Sequence, residues 1–448
     1  MLAINHEYGH PVREGPEIRL QRDVRKFQGE EPQLRKEITL RHAVSLYISS
    51  VLGSGVLVLP GLAARLAGPA SLLAWIGLSL ASYPFAYTFA TLSARRPESG
   101  GVYSFAKESF GLPVAAVSGW LFALWFISGG PAVTLIAASY VAYAFPLSRG
   151  ESYVIAAGTM LVAFIVNYRG ITFSSRVQLG VVVAIVALLL SAVVFSVGSV
   201  DMRNFVPFAP AGLLPLGTAA ALIFWSFLGY ENVSNVAGEF RNPERDFRRS
   251  ILLSVVVIGC LYVAVAAVTV GTGAFRSGGS VAPFAAILAH TFGPYGAAGT
   301  AVLALFIIFG AENAYTAGMS RVIYAAARDG AFPRFLDHVH VKTGVPDRSL
   351  VMLFTLSMVM LGFYFFADID LETALLIPGG AAILVYVIGS ASGIRLLRRD
   401  GRRTVLAWMS LVISLSILPF VGIPALVSVI AVLAALAFVV IAGRRSRL

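Results

Sequence analysis

From residue 38 onward the sequence repeats one pattern, an apolar stretch long enough to cross a bilayer at about 20 residues per crossing, followed by a short polar connection. Twelve such stretches are expected, at 40–66, 71–93, 112–145, 152–168, 176–197, 213–237, 250–273, 297–326, 349–367, 372–396, 404–420 and 422–442. Pro283 to Phe292 is apolar but too short to span, and is expected along the outer surface. Residues 1–37 mix both signs of charge with Pro and Gly and lack a sustained apolar period. They read as a polar cytoplasmic tail with one short amphipathic piece around Ile18 to Phe27.

Composition agrees with the pattern. Of 448 residues, 57% are hydrophobic and 13% charged, where soluble domains carry about 25% charged residues; mean hydropathy is +0.80. The class is an all-α polytopic membrane protein. Cys260 is the one cysteine, which excludes a disulfide framework and a cysteine metal site. The formal charge of +11 matters through its placement, because cytoplasmic loops collect Lys and Arg. With the tail inside, the inner loops hold Arg95, Arg96 and Lys107; Arg169 and Arg176; Arg241, Arg245, Arg248 and Arg249; Arg328, Arg334, Lys342 and Arg348; then Arg398, Arg399, Arg402 and Arg403. The end, 444–448, adds Arg444, Arg445 and Arg447, whereas the opposite loops carry Asp368, Asp370 and Glu372. This asymmetry supports the span count, places both termini in the cytoplasm and removes any need for a nucleic-acid partner. The first 37 residues contain no basic stub followed by an apolar core, so no signal peptide is expected.

Two spans are interrupted. In the first, Gly53 and Gly55 flank Ser54 after Ser49 and Ser50. Each glycine weakens a helix by about 1 kcal/mol relative to alanine, and in lipid every freed backbone group needs a new partner. A ligand supplies a reason: an unwound turn exposes amide N–H groups, and the resuming half-helix adds its positive end, so a carboxylate is held without a basic side chain. Tight packing against small residues is the alternative. The sixth span is broken in the same way at Gly229, within Phe224-Trp225-Ser226-Phe227-Leu228-Gly229-Tyr230-Glu231-Asn232. Breaks at corresponding positions of two halves point to a transporter binding site and to an inverted five-plus-five repeat. The expected division is 38–197 for the first repeat, 213–397 for the second and 404–443 for two accessory helices.

Glu231 and Glu312 are the acids placed well inside spans. An intramembrane acid is costly and points to an ion or proton path, or to a buried polar pair. Glu231 has the alternative of accepting amides freed at Gly229; Glu312, beside Asn313 and a turn before Thr316, has that of a clamp between helices. Metal chemistry finds no support. His6-Glu7-Tyr8-Gly9-His10 fits a zinc pattern that requires both histidines on one stable helix face, but Gly9 and Pro11 oppose that helix and no third ligand is identifiable. The spans lack the clustered His, Asp or Cys of a membrane-embedded enzyme.

At this point five ordered motifs resemble the amino acid–polyamine–organocation transporters. They are Gly53-Ser54-Gly55; Glu98-Ser99-Gly100-Gly101-Val102-Tyr103; Trp225 through Glu231; Arg241-Asn242-Pro243-Glu244-Arg245; and Ser320 through Pro333, reading Ser-Arg-Val-Ile-Tyr-Ala-Ala-Ala-Arg-Asp-Gly-Ala-Phe-Pro. The resemblance covers residues 38 to 443. It implies a leucine-transporter-like fold with twelve transmembrane helices, helices 1 and 6 unwound in mid-membrane, alternating access, and an amino acid substrate. By position, Ser54 and Gly55 receive the carboxylate, while carbonyls near Val51, Trp225 and Leu228 take the ammonium; Gly53 and Gly229 complete the substrate-binding set. Trp225 is the inner lid, Tyr315 stands where some relatives have tryptophan, and Glu231 matches the acid of span six. Glu231, Glu312, Trp225 and Tyr103 are the coupling or gating candidates.

The chain also departs from that pattern. Some relatives carry a lysine in span five in place of a sodium ion; Val181 to Leu190 has none, and Ile185 falls near that point. Coupling is then left to sodium, a carboxylate proton or plain exchange, with no organic cofactor. Gly130 and Val133 face the expected side-chain pocket, which has no counter-charge for a second ammonium or guanidinium. The expected substrate is a neutral, apolar amino acid. A cationic amino acid or polyamine exchanger and a transporter-like sensor signalling through residues 1–37 are the alternatives. A monomer or homodimer in the lipid of the cell membrane is the expected state.

Overall fold

A computed structural model of the chain describes residues 40, 44, 47–48, 51–95, 101–170, 175–230, 243–276 and 278–445. Glu231, the motif residues Glu98, Ser99, Gly100, Arg241 and Asn242, and residues 1–37 with their histidine pair lie outside the described residues.

Among the described residues every regular element is helical. In chain order the helices are α1 Gly55–Ala67, α2 Ser71–Arg95, α3 Gly101–Phe110, α4 Leu112–Ala144, α5 Arg149–Tyr168, α6 Ser175–Ser196 and α7 Leu214–Phe224. They continue as α8 Pro243–Gly271, α9 Pro283–Arg328, α10 Asp347–Phe366, α11 Leu371–Leu396, α12 Gly401–Ile417 and α13 Ala425–Arg445. Nine stretches of the described residues are long and apolar enough to cross a membrane, one of which, Gly55–Ser93, contains both α1 and α2. Leu214–Phe227 and Ala425–Ile441 are shorter apolar helices. Within α9 the backbone departs from helix at Gly293 (φ 60°, ψ −147°), which makes Pro283 to Phe292 a separate short helix, as its length implies. The helix α3 has no counterpart among the expected spans.

Burial divides the helices into two shells. The most apolar windows of α4 and α11 are 83% and 78% buried, against 22% for α5 and 28% each for α6 and α12. The outer helices turn Val154, Leu190, Val194 and Val412 outward, as a lipid-facing surface requires. The inner helix α4 has no charged residue over Leu112–Ala144. It packs most extensively against α9 and α11, and Gly129-Gly130 gives it a side-chain-free step midway along. At about 1.5 Å rise per residue, ten residues separate Gly129 from Gly119 by about 15 Å.

Candidate functional site

The two glycine-rich interruptions meet. Val51 is helical, Leu52 to Ser54 are not, and α1 resumes at Gly55. Ser54 precedes α1 without capping it through its side chain, and the Leu57 amide reaches Ser54 O at 3.1 Å. The first amides of a helix have no acceptor inside it, so Gly55 and Val56 present N–H groups at this turn. On the other side α7 tightens into a 3-10 turn over Trp225–Phe227. Leu228 is extended (φ −77°, ψ 148°) and Gly229 has φ 121°, a conformation that glycine adopts without steric cost.

Gly55 is where the second segment closes on the first. A Cβ placed on Gly55 would lie 2.6 Å from Trp225 Cδ1 and 3.0 Å from Ser226 Oγ. Ser226 Oγ is buried with no hydrogen-bond partner among the described residues. Such a hydroxyl beside free helix-start amides leaves a polar site ready for a ligand. The far edge of Trp225 rests on α4: a Cβ on Gly129 would meet Trp225 Cη2 at 2.8 Å and Pro378 Cβ at 3.4 Å. Trp125 stands edge-on to Trp225 with ring centroids 6.1 Å apart. Trp225 itself is partly exposed while Ser226 to Tyr230 are buried, so its ring forms a wall of the site that solvent reaches.

Tyr262 on α8 ties the interruptions together, a role that sequence reasoning missed. Its hydroxyl lies 3.0 Å from Val51 O and 3.0 Å from Ser226 O, so one O–H serves a carbonyl from each segment. The ring is fixed edge-on by Trp75 (5.4 Å) and Phe227 (5.2 Å). The signal was a lone tyrosine in an apolar run, whose hydroxyl needs a partner when buried; sequence does not say which. Tyr140 likewise donates to Leu57 O at 2.6 Å, in the first turn of α1.

The remaining candidates divide by place. Val51, Ser54, Gly55, Leu228, Gly130 and Val133 are all buried. Gly130, next to the Trp225 contact at Gly129, faces Glu312: a Cβ there would lie 3.0 and 3.4 Å from its two carboxylate oxygens. The side-chain pocket expected to lack any acid therefore has one at its wall, supplied by a helix more than 180 residues away in sequence. Its neighbour Asn313 is held by Asn167 of α5, whose amide donates to Asn313 Oδ1 at 2.9 Å and Asn313 O at 3.2 Å. That pair fixes the rotation of α9, turning Asn313 to α5 and Glu312 to α4. Tyr315 is 39% exposed. Ile185 is buried on α6.

Tyr103 belongs to another place. From α3 its hydroxyl donates to Asp329 Oδ2 at 3.0 Å, and Lys107 reaches the same oxygen at 2.7 Å. Burial first, and then Asp329, hold the phenol well above its usual pKa, so it remains a donor. Trp120 adds a bond to Ala331 O at 3.0 Å and stacks on Phe332. The Ser320–Pro333 motif is thus clasped to α3 and α4 near Gly119, about 15 Å along α4 from the Trp225 contact. Among the described residues no three His, Cys, Asp or Glu groups stand together as metal ligands.

Comparison with known proteins identifies the family. The profile of a family described as amino acid permease matches residues 38–446. A Bacillus subtilis protein named as an uncharacterized amino acid permease is 33% identical over 380 residues, covering 85% of this chain and 89% of that one. An L-methionine/branched-chain amino acid exporter of Escherichia coli is 29% identical over 396 residues (87% and 92% of the two chains). A branched-chain amino acid permease of Bacillus subtilis is 28% identical over 341 residues (70% and 72%). These relatives are permeases and exporters, not enzymes.

Proposed function

The chain belongs to the amino acid permease family, and from that premise we propose that it is a secondary carrier moving a neutral, apolar amino acid across the cell membrane by alternating access. The substrate carboxylate is taken by the amides at Ser54 and Gly55 and the ammonium by carbonyls near Val51, Trp225 and Leu228, with Trp225 as lid. The observation that carries this reading is the contact between Gly55 and Trp225, which brings the first amides of α1 against the turn that ends α7, whose carbonyls keep a second lone pair beside the bonds they accept. A zwitterion matches two such ends at once. The apolar side chain is supported by the wall of Gly129, Trp125 and Pro378 around Trp225, and by two relatives whose names specify branched-chain amino acids or methionine. In this proposal residues 38–197 and 213–397 are inverted repeats that rock about the site, twelve spans cross the membrane, and both termini are cytoplasmic.

Purified protein in liposomes loaded with unlabelled leucine, valine or methionine is expected to accumulate the labelled form by exchange. Failure of every amino acid to exchange or to raise the melting temperature would remove the proposal. One observation favours a second reading. Glu312 at Gly130 offers a partner to a cationic side chain, so competition by lysine or arginine as strong as by leucine would replace the neutral substrate with a cationic one.

A further inference from the structure

Glu312 is only 5% exposed, and among the described residues no hydrogen bond or ion pair to its carboxylate is seen. An ionised carboxylate held that way costs several kcal/mol unless something neutralises it. The surrounding helices do not. Over Leu112–Ala144 α4 has no charged residue, α5 has none after Glu151, α6 none after Arg176, and α10 none after Arg348. On α1, Arg65 pairs with Glu372 at 2.6 Å. The tyrosines around this core are committed elsewhere: Tyr140 to Leu57 O, Tyr262 to Val51 O and Ser226 O, and Tyr364 to Ser128 O. Tyr315 lies on the same helix as Glu312, three residues on.

Three cations remain: a metal ion, a substrate ammonium or a proton. Calcium and magnesium gather six or more oxygens, whereas the carboxylate faces the bare backbone of Gly130, and the carbonyls of Gly130 and Pro131 already accept from Thr134; a sodium ion in the proton's place would show as net uptake without proton movement in the experiment below. A substrate side chain entering between Glu312 and α4 would have to push the carboxylate back, since a Cβ on Gly130 would already stand 3.0 Å from it; the lysine and arginine competition described above tests that case. A proton needs no room. We propose that Glu312 is the group that carries a proton through the transport cycle, accepting it as a carboxylate from one side of the membrane and releasing it to the other. This rests on the carrier reading above.

The link to substrate is short. Trp225 presses on Gly129 and Glu312 on Gly130, so adjacent residues of one helix feel the lid and the carboxyl, and a lid movement that shifts α4 alters access to Glu312. The experiment uses the full chain in liposomes with a pH-sensitive dye inside. In wild type, adding the transported amino acid is expected to move protons in step with net uptake. Glu312→Gln is expected to abolish that movement and the uptake driven by a pH gradient, with an unchanged ligand-free melting temperature showing that the protein is folded. Glu312→Asp, which keeps a carboxyl one methylene further back, is expected to restore proton movement with a shifted pH of half-maximal net transport. Proton movement persisting in Glu312→Gln, an unshifted profile in Glu312→Asp, or wild-type transport without proton movement would each overturn the assignment. Absence of exchange in wild type would instead remove the carrier reading itself.

Discussion

Adding one methyl group at Gly55 tests how the two segments meet. The residue is buried, and it begins α1 without a positive φ, so alanine meets no backbone strain and even gains part of the helix preference of about 1 kcal/mol. Its Cβ, however, would stand 2.6 Å from Trp225 Cδ1 and 3.3 Å from Leu59 Cδ1. Carbon contacts settle near 3.5–4.0 Å, so the indole has to retreat by about 1 Å, and overpacking of this kind costs about 1–3 kcal/mol. Trp225 has little room to move, because Gly129 and Trp125 hold its other edge. If the displaced indole is the lid, the cost falls on the bound state and affinity drops about 5- to 150-fold. Equilibrium binding of labelled amino acid to the purified Gly55→Ala protein measures this, with the ligand-free melting temperature as control. Trp225→Phe in the same background should recover part of the loss, since the pair is coupled. Wild-type affinity in Gly55→Ala, or a double variant whose losses simply add, would refute the reasoning.

Tyr262→Phe keeps the ring contacts with Trp75 and Phe227 and removes the hydroxyl that serves Val51 O and Ser226 O. Leaving buried carbonyls without a donor costs about 1–3 kcal/mol, read as a lower melting temperature together with weaker binding; an unchanged pair of values would show that the bridge is idle. At the Tyr103 clasp, Lys107→Ala is expected to cost under about 1 kcal/mol, because the ammonium is 47% exposed and such pairs contribute little. Asp329→Ala removes the acceptor of the Tyr103 hydroxyl as well and is expected to cost about 1–3 kcal/mol. Thermal unfolding orders the two, and the reverse order contradicts the clasp.

The helical bundle was legible because long apolar runs leave few alternatives in lipid, and the expected limits of spans two, three, nine and ten fall within a few residues of α2, α4, α10 and α11. At Gly53, Gly55 and Gly229 the expectation rested on a similar cost, since glycines weaken a helix unless backbone has to be freed, and residues 52–54 and 228–229 lie outside regular helix. What sequence withheld was pairing between distant residues. Nothing in Val-Ile-Gly-Cys-Leu-Tyr says that Tyr262 reaches both broken segments. Nothing around Gly130 says that Glu312 fills the space where its side chain would be, and so the pocket was read as free of acid. Tyr103 stood in a motif whose partner, Asp329, is 226 residues away. Local cost is written in composition, but the identity of a contact depends on which helix faces which.

The central claim is that bare backbone at Ser54–Gly55 and at Trp225–Leu228 holds both ends of a zwitterion. Titrating the purified protein with the transported amino acid, its decarboxylated amine and its N-acetyl derivative tests it most directly. The account predicts saturable binding of the amino acid and a loss of at least about 100-fold, near 3 kcal/mol, for either derivative. Comparable affinity for all three would contradict it.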